Sequence, residues 1–378
     1  MIAILQPIVP HYRENFFKIL YEKTACDVYT YEREKTAIKE NFNISSFRAK
    51  KIRNLCWKDF LLYSPAPLLS KKYRILVLML HVAHLTTWML LLTKPLHKKK
   101  IILWGHGISV KRYLKQEKRL SPFLKMMIRF SDGVWVYTEK EKQLWNAAFP
   151  EKPIAALYNT ISDADHLLAL TTDRKHLLKE KYGILQPLCF IFCARFDNPY
   201  RRPDLLIEVI EHLPPEKYAF IIVGDGKNKP DLKKYPNVYD FGQVYDRALK
   251  NDLFFIADLY FQPAWTGLSI VEAMAYGIPV ITFKRSEDIF QCVEYAYIKD
   301  RENGIIVTNT HELTEVMEAL TADQIRWMGK NARLFVRDNL KIHDMVSNAL
   351  TLVGDVRARQ KTETSFPKVF QFLFNLSK

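Results

Sequence analysis

Residues 260–283, YFQPAWTGLSIVEAMAYGIPVITF, constrain the fold of this chain more than any other stretch. They read as a strand end, a tight turn at Gly267, a helix of about two turns and a second strand. Leu268, Val271, Met274 and Ala275 give the helix an apolar face. Ser269 and Glu272 stand in the S-x-x-E spacing of a capping box. Gly277 and Pro279 are placed to end the helix. Residues 279–283 are continuously apolar, as a strand covered on both faces must be, and such strands belong to parallel sheets. The stretch therefore demands an α/β fold. It also collects unpaired N–H groups and the positive end of a helix dipole around Gly267, Leu268 and Ser269, which suits a phosphate. An ordinary βαβ turn with a self-capped helix fits the same residues.

The alternation of strand and helix extends in both directions. Residues 2–9 (IAILQPIV) form a strand, Pro10 to Arg13 a loop, and 15–23 an amphipathic helix, the opening of a doubly wound sheet. Such sheets bind ligands at the carboxyl ends of their strands, so His11 and Arg13 are candidates for substrate contact. Residues 25–60 hold short strand pieces and a connection rich in Lys and Arg. Residues 75–92 are the most apolar window, but His81, His84 and two threonines interrupt it. It divides into a strand over 75–80 and a helix over 85–92 in preference to one membrane span. The strand over 101–104 ends in Gly105-His106-Gly107, which exposes His106 either to a ligand or as a plain turn residue. A basic amphipathic helix follows over 110–130, interrupted near Pro122, and Thr138 with Glu141 repeats the capping-box spacing. A charged helix over 166–182 crosses to a second sheet that begins with 188–193. Arg195 opens the first loop of that sheet, and Arg201 and Arg202 precede the helix over 204–212. Two cations beside a helix start are what a diphosphate requires.

A chain of 378 residues exceeds one core and divides into 1–165 and 166–360, with a short apolar tail, 361–378, able to pack back on the first half. Met1 leads straight into an apolar strand, so no signal peptide is expected. The five cysteines are scattered without C-x-x-C spacing, which predicts reduced thiols, a cytosolic compartment and no zinc site. No Walker loop, H-E-x-x-H, G-x-S-x-G or G-x-G-x-x-G motif occurs. Charge is uneven: residues 1–165 hold 28 Lys and Arg against 14 Asp and Glu, the remainder 28 against 27. A basic field of this kind attracts nucleic acid, anionic lipid or an anionic substrate. With no nucleic-acid motif, and aromatics interleaved with aliphatics in core-like runs, the expected partner is an anionic membrane surface, met by the helix over 110–130.

The order of these pieces resembles family 4 of the retaining, nucleotide-sugar-dependent glycosyltransferases. FCARFDNPYRRPDLLIEVI, IIVGDG, VYDFGQV, IADLYFQPAWTGLSIVEAMAYGIPVI and ENGIIV are similar to successive segments of that family. QPIVPHYRENFF and ILWGHG resemble the acceptor-domain signatures of members that build bacterial surface polysaccharides. The likeness spans nearly the whole chain and implies the GT-B architecture, two Rossmann-like parallel-sheet domains facing a central cleft. It implies roles by position. Arg195 and Arg201 would meet the donor diphosphate, with Arg201 standing where the family has lysine. Glu272 would hold the donor ribose, and the amides of Gly267, Leu268 and Ser269 the distal phosphate. Gly224 and Val244 would be further donor contacts, and His106 would face the transferred sugar. The chain departs from the pattern at Ala264, where the family has its first motif glutamate, at Trp265 and Thr266, which follow it, and at Ala194. Trp265 is placed either to stack on a sugar face or simply to fill the gap.

The resemblance implies transfer of a sugar from a nucleotide-diphosphate sugar to a lipid-linked glycan, in capsule, O-antigen or exopolysaccharide synthesis. It implies no metal and no other cofactor, and a peripheral position on the inner face of the cytoplasmic membrane. Two rival readings follow from the same residues. One is a nucleotide-sugar epimerase. The other, prompted by Ala264, is a catalytically silent membrane-associated binding subunit of GT-B fold.

Overall fold

The computed structural model describes residues 1–31 and 47–359. Their strands form two parallel sheets and one small hairpin. The seven-stranded sheet runs in the order Lys50–Lys51, Cys26–Thr30, Ile2–Gln6, Ile75–Met79, Lys100–Trp104, Gly133–Val136, Ile154–Ala156. The six-stranded sheet runs Val238–Asp240, Tyr218–Val223, Leu188–Cys193, Leu259–Phe261, Val280–Phe283, Gly304–Val307. Strands Ile2–Gln6 and Tyr218–Val223 are buried along their whole length. That is why they are unbroken apolar runs instead of alternating ones.

Each sheet reverses its strand order beside its first strand. Ile2 lies opposite Cys26 on one side and Ile75 on the other, and Phe190 lies between Phe220 and Leu259. At such a reversal the connections leave in opposite directions and open a crevice at the carboxyl ends of the strands. The loop holding Arg13 and the loop holding Arg195 occupy these two positions.

The window over 75–92 divides as expected, into strand Ile75–Met79 and helix Leu85–Leu92. No helix among the described residues is long and apolar enough to cross a membrane. The basic stretch over 110–130 is a 3-10 turn, Val110–Arg112, and two helices, Tyr113–Lys118 and Pro122–Phe130. The crossing over 166–182 is likewise two helices, Ala164–Ala169 and Lys175–Lys181, not one. A hairpin, Asn54–Trp57 with Phe60–Tyr63, begins within what the sequence suggests is a polar connection rich in Lys and Arg.

The last helix crosses back. Ile342–Arg359 was expected with the second sheet, yet Met345, Val346 and Leu352 share a core with Phe16, Ile102 and Trp135 of the first. It fills the groove between helix Glu14–Lys23 and strand Ile154–Ala156. Gly133 makes room for it, since a Cβ there would stand 2.8 Å from Leu352. Its apolar face shows that it packs, not on which sheet. The tail 361–378 lies outside the described residues.

Thr138 and Glu141 do not form the predicted capping box. Thr138 makes no side-chain cap; its hydroxyl donates to the Glu141 carboxylate, which also accepts from the Tyr113 hydroxyl at 2.6 Å. Glu141 is fully buried, and burial pushes its pKa from an ordinary 4.5 to about 7, the two hydroxyl donors pulling the other way. A carboxyl raised on folding stabilises the fold fully below its unfolded pKa, and that contribution disappears as pH rises through its folded pKa. Glu141→Gln should therefore gain about 2 kcal/mol on the wild type between roughly pH 5 and pH 8.5. Urea midpoints across that range test it; a difference flat with pH would refute the assignment.

Candidate functional site

The loop over 262–269 is built by two buried glutamines. Gln262 donates from Nε2 to the carbonyls of Ala264 (3.1 Å) and Trp265 (2.8 Å). Its Oε1 accepts from the hydroxyls of Tyr260 and Ser269, each at 2.9 Å. Gln291 accepts from the Thr266 amide and hydroxyl, both at 3.0 Å. It donates to Pro263 O (3.2 Å), Thr282 Oγ1 (2.9 Å) and Phe283 O (2.8 Å). The Thr266 amide in particular would otherwise be buried without this partner, whereas Pro263 O also accepts from Phe283 N and Thr282 Oγ1.

This corrects the expected local chemistry in two ways. Ser269 does not cap the helix Ser269–Ala275: Leu268 is the N-cap, in αR conformation, and makes no side-chain cap. Nor is Gly267 the strained turn residue. The left-handed conformation falls on Trp265, at φ 56°, while Gly267 lies outside that region and has open space where a Cβ would stand. Trp265 is held there by its amide, which donates to Phe290 O at 2.7 Å. Its ring stacks on Tyr200 at 5.4 Å, and Lys111 of the first half donates to the Tyr200 hydroxyl at 2.6 Å.

Arg195 and Arg201 face the cleft beside this loop. Arg201 donates to the carbonyl of Arg195, forms no ion pair among the described residues, and leaves its buried Nε without a partner. Burial lowers its pKa, and Arg195 lowers it further. Arg201 is half-buried, and an anion reaching this side of the cleft would supply the acceptor its Nε lacks. Gly224, expected to touch the donor, acts one layer behind: at φ 143° it packs so closely that a Cβ would sit 2.1 Å from Ala194 O. It brings the loops of neighbouring strands together.

Across the cleft, Arg13 is buried and engaged. It donates to Tyr137 Oη (3.1 Å) and Asn159 Oδ1 (2.6 Å), and its guanidinium lies 5.1 Å from the Trp104 ring. Asn159 in turn donates to Glu294 Oε1 at 2.6 Å. Glu294 belongs to the second half, so this relay joins the two. His106 opens onto the cleft against Tyr137, ring centroids 5.0 Å apart. Enclosure by the walls lowers its pKa, Glu294 opposing and Arg13 assisting.

One cavity of about 900 Å³ is lined by Arg13, His106, Arg195, Arg201, Trp265, Gly267, Leu268 and Ser269. Tyr12, Tyr137, Asn159 and Glu294 line it too; the last three were missed from sequence because their pairing is set by partners more than a hundred residues away. Four predicted contacts stand outside its lining. Val244 packs on the core of the second sheet, and Gly224 lies behind Ala194. Glu272 pairs with Lys250 at 2.5 Å, and burial pushes its carboxyl up while Lys250 and, more weakly, His11 pull it down. His11 is thus close to Glu272 without lining the cavity. Among the described residues, no group of three His, Cys, Asp or Glu side chains could hold a metal ion.

Residues 187–323 match the family described as glycosyl transferases group 1. The alpha-monoglucosyldiacylglycerol synthase of Acholeplasma laidlawii is 30% identical over 161 residues, 38% of each chain. A protein of the cps region of Klebsiella pneumoniae is 29% identical over 213 residues, 54% of this chain and 55% of its own. The chain thus spans about half the length, or less, of these relatives. Anabaena HepE in complex with UDP superposes with a TM-score of 0.65 at 15% identity, covering 94% of this chain and 99% of its own. The lipopolysaccharide outer core galactosyltransferase WaaB does so with 0.65 at 14%, with the same coverage. The chain has the GT-B fold, and residues 187–323 of its second half match the group 1 glycosyl transferase family.

Proposed function

We propose that the protein is a glycosyltransferase of family 4 that moves a sugar from a nucleotide-diphosphate sugar to a lipid-linked glycan, with retention at the anomeric carbon. The observation that carries this reading is the buried, unpartnered Nε of Arg201, beside Arg195 and the open loop at Gly267, in a cleft between two sheets. The difficult step is departure of a doubly charged diphosphate. Two guanidinium groups in a poorly solvated cleft stabilise that charge as it develops. Glu272 would exchange Lys250 for the ribose hydroxyls, and the Trp265–Tyr200 stack would cover the sugar. Peripheral attachment to the inner face of the cytoplasmic membrane belongs to the same reading.

The relatives support it by name: one is an alpha-monoglucosyldiacylglycerol synthase, another comes from a cps region, and the HepE structure is a complex with UDP. The silent-subunit alternative also has an observation in its favour. Ala264, at the family's first glutamate, is fully buried and presents no group to the cleft. Incubation with a panel of nucleotide sugars and membrane lipid extract, followed by product analysis, decides between them. Nucleotide release with a new glycolipid is expected, reduced about tenfold or more by Glu272→Gln. Conversion of donor without acceptor would indicate an epimerase, and binding without turnover across the panel a silent subunit.

A further inference from the structure

Three neighbouring elements of the first half carry apolar residues on their outer faces as well as their inner ones. In the hairpin, Leu55 pairs with Leu62 and Trp57 with Phe60, so the four share one face. They are 65%, 45%, 65% and 41% exposed, whereas Leu61 and Tyr63 on the other face are buried. The rings of Trp57 and Phe60 stack 6.3 Å apart beside the turn. Helix Leu85–Leu92 buries Thr86 and Thr87 and exposes Leu85, Met89 and Leu92, which recur along one side. The threonines can face inward because Tyr63 satisfies them. Thr86 donates to Tyr63 O (2.8 Å) and accepts from Tyr63 N (2.9 Å), and Thr87 bonds the Tyr63 hydroxyl at 2.8 Å. Helix Pro122–Phe130 packs against Leu85–Leu92, burying Met127 and Ile128 while exposing Phe123 and Met126. The exposed side of a surface helix or hairpin is ordinarily polar, and a continuous apolar one marks a contact site.

We propose that this face docks on a bilayer surface carrying anionic headgroups, with the hairpin turn entering first. Arg53, Lys58, Lys98, Lys125 and Arg129 are exposed on the same elements or next to them. Lipid phosphates would meet these cations while the rings of Trp57 and Phe60 settle at the headgroup level. A second copy of the chain fits less well, because a two-fold contact would set the same cations against each other. The face replaces the one expected from charge alone, the helix over 110–130, of which only the second segment contributes. Its position also matters. The Leu61 amide donates to Ala83 O at 2.9 Å, just beyond the carboxyl end of strand Ile75–Met79, the end that opens on the cleft. An acceptor anchored in the bilayer would then be delivered at the cleft mouth; this last step rests on the lipid-linked acceptor proposed above, whereas the docking does not.

The test uses the full chain without nucleotide, sedimented with phosphatidylcholine vesicles with or without about 30 mol % phosphatidylglycerol. Binding is expected only with the anionic lipid. The double variant Trp57→Ser, Phe60→Ser should reduce partitioning about tenfold or more, with UDP affinity and melting temperature kept. Leu185→Ser, at a residue 88% exposed in the second half, should change nothing. Wild-type indifference to phosphatidylglycerol, or unaltered binding of the double variant, overturns the proposal. So does a concentration-dependent dimer that the double variant abolishes without any vesicle binding, which would give the face to a second copy. Failure of the wild type to bind UDP would count against the transferase reading alone and leave the vesicle result standing.

Discussion

Arg201→Ala should weaken binding of a nucleoside diphosphate about 100-fold while leaving the melting temperature within a degree or two of the wild type. The two halves of this expectation have one cause. The Arg201 guanidinium donates to Arg195 O and keeps Nε buried without a partner beside a second cation. Removing a desolvated, poorly paired charge costs the fold little. The bound diphosphate changes the balance, because it would supply the acceptors this guanidinium lacks. A charge-assisted contact in a poorly solvated cleft contributes about 2.7 kcal/mol, which is the factor of 100. Arg201→Lys keeps the charge but loses the planar fork, so about tenfold weakening is expected. Calorimetric titration with UDP, paired with thermal melting, measures both. Equal UDP affinity in wild type and alanine variant would remove Arg201 from the site.

Architecture was legible because its signals are local. Buried parallel strands must be apolar runs, and the helices between them must be striped, so the βα alternation could be followed from residue 2 to 339. The reach of that logic ended at helix Ile342–Arg359, whose stripe is equally compatible with either sheet until the groove beside Gly133 is known. Caps were read from spacing, and spacing is necessary but not sufficient. Ser269 and Thr138 each had an acid three residues on, but Ser269 turned to Gln262, while Thr138 donates to Glu141 itself instead of capping the helix. Among the described residues, the capping box with both bonds in place joins Thr321 and Gln324. The hairpin carried a signal that went unread: Lys58-Asp59 between two short apolar runs is a two-residue turn.

The candidate site was legible in many of its lining residues but not in how its two walls are joined. Arg195, Arg201 and the loop at Gly267 converge as their positions implied. The relay from Arg13 through Asn159 to Glu294 was not foreseeable, because a buried amide gives no sign in sequence of which distant groups it will satisfy. The same holds for Gln262 and Gln291. Read singly, each looks like a loop glutamine; together they set the path of the backbone that Gly267 completes.

Gln291→Met makes this dependence measurable and should destabilise the fold by about 3 kcal/mol. The methionine fills similar volume, so the cost comes from polarity and not from a cavity. Gln291 is fully buried and serves the Thr266 amide, the Thr266 and Thr282 hydroxyls and the carbonyls of Pro263 and Phe283. Three of these, Pro263 O and the Thr266 amide and hydroxyl, belong to the loop itself, and Thr282 Oγ1 retains Pro263 O as a fallback at 3.2 Å. The Thr266 amide has none, so the backbone immediately before Gly267 should be the part that loosens. UDP affinity is then expected to fall together with stability, although Gln291 does not line the cavity. Thr266→Val supplies the control: it deletes one hydroxyl contact, leaves the amide bond intact, and should cost only about 1 kcal/mol. The pair also separates two kinds of residue, since Arg201→Ala should affect binding alone and Gln291→Met both quantities. Urea unfolding and UDP titration on the three variants decide it; a methionine variant that unfolds at the wild-type urea midpoint would show that the loop is held by something other than this amide.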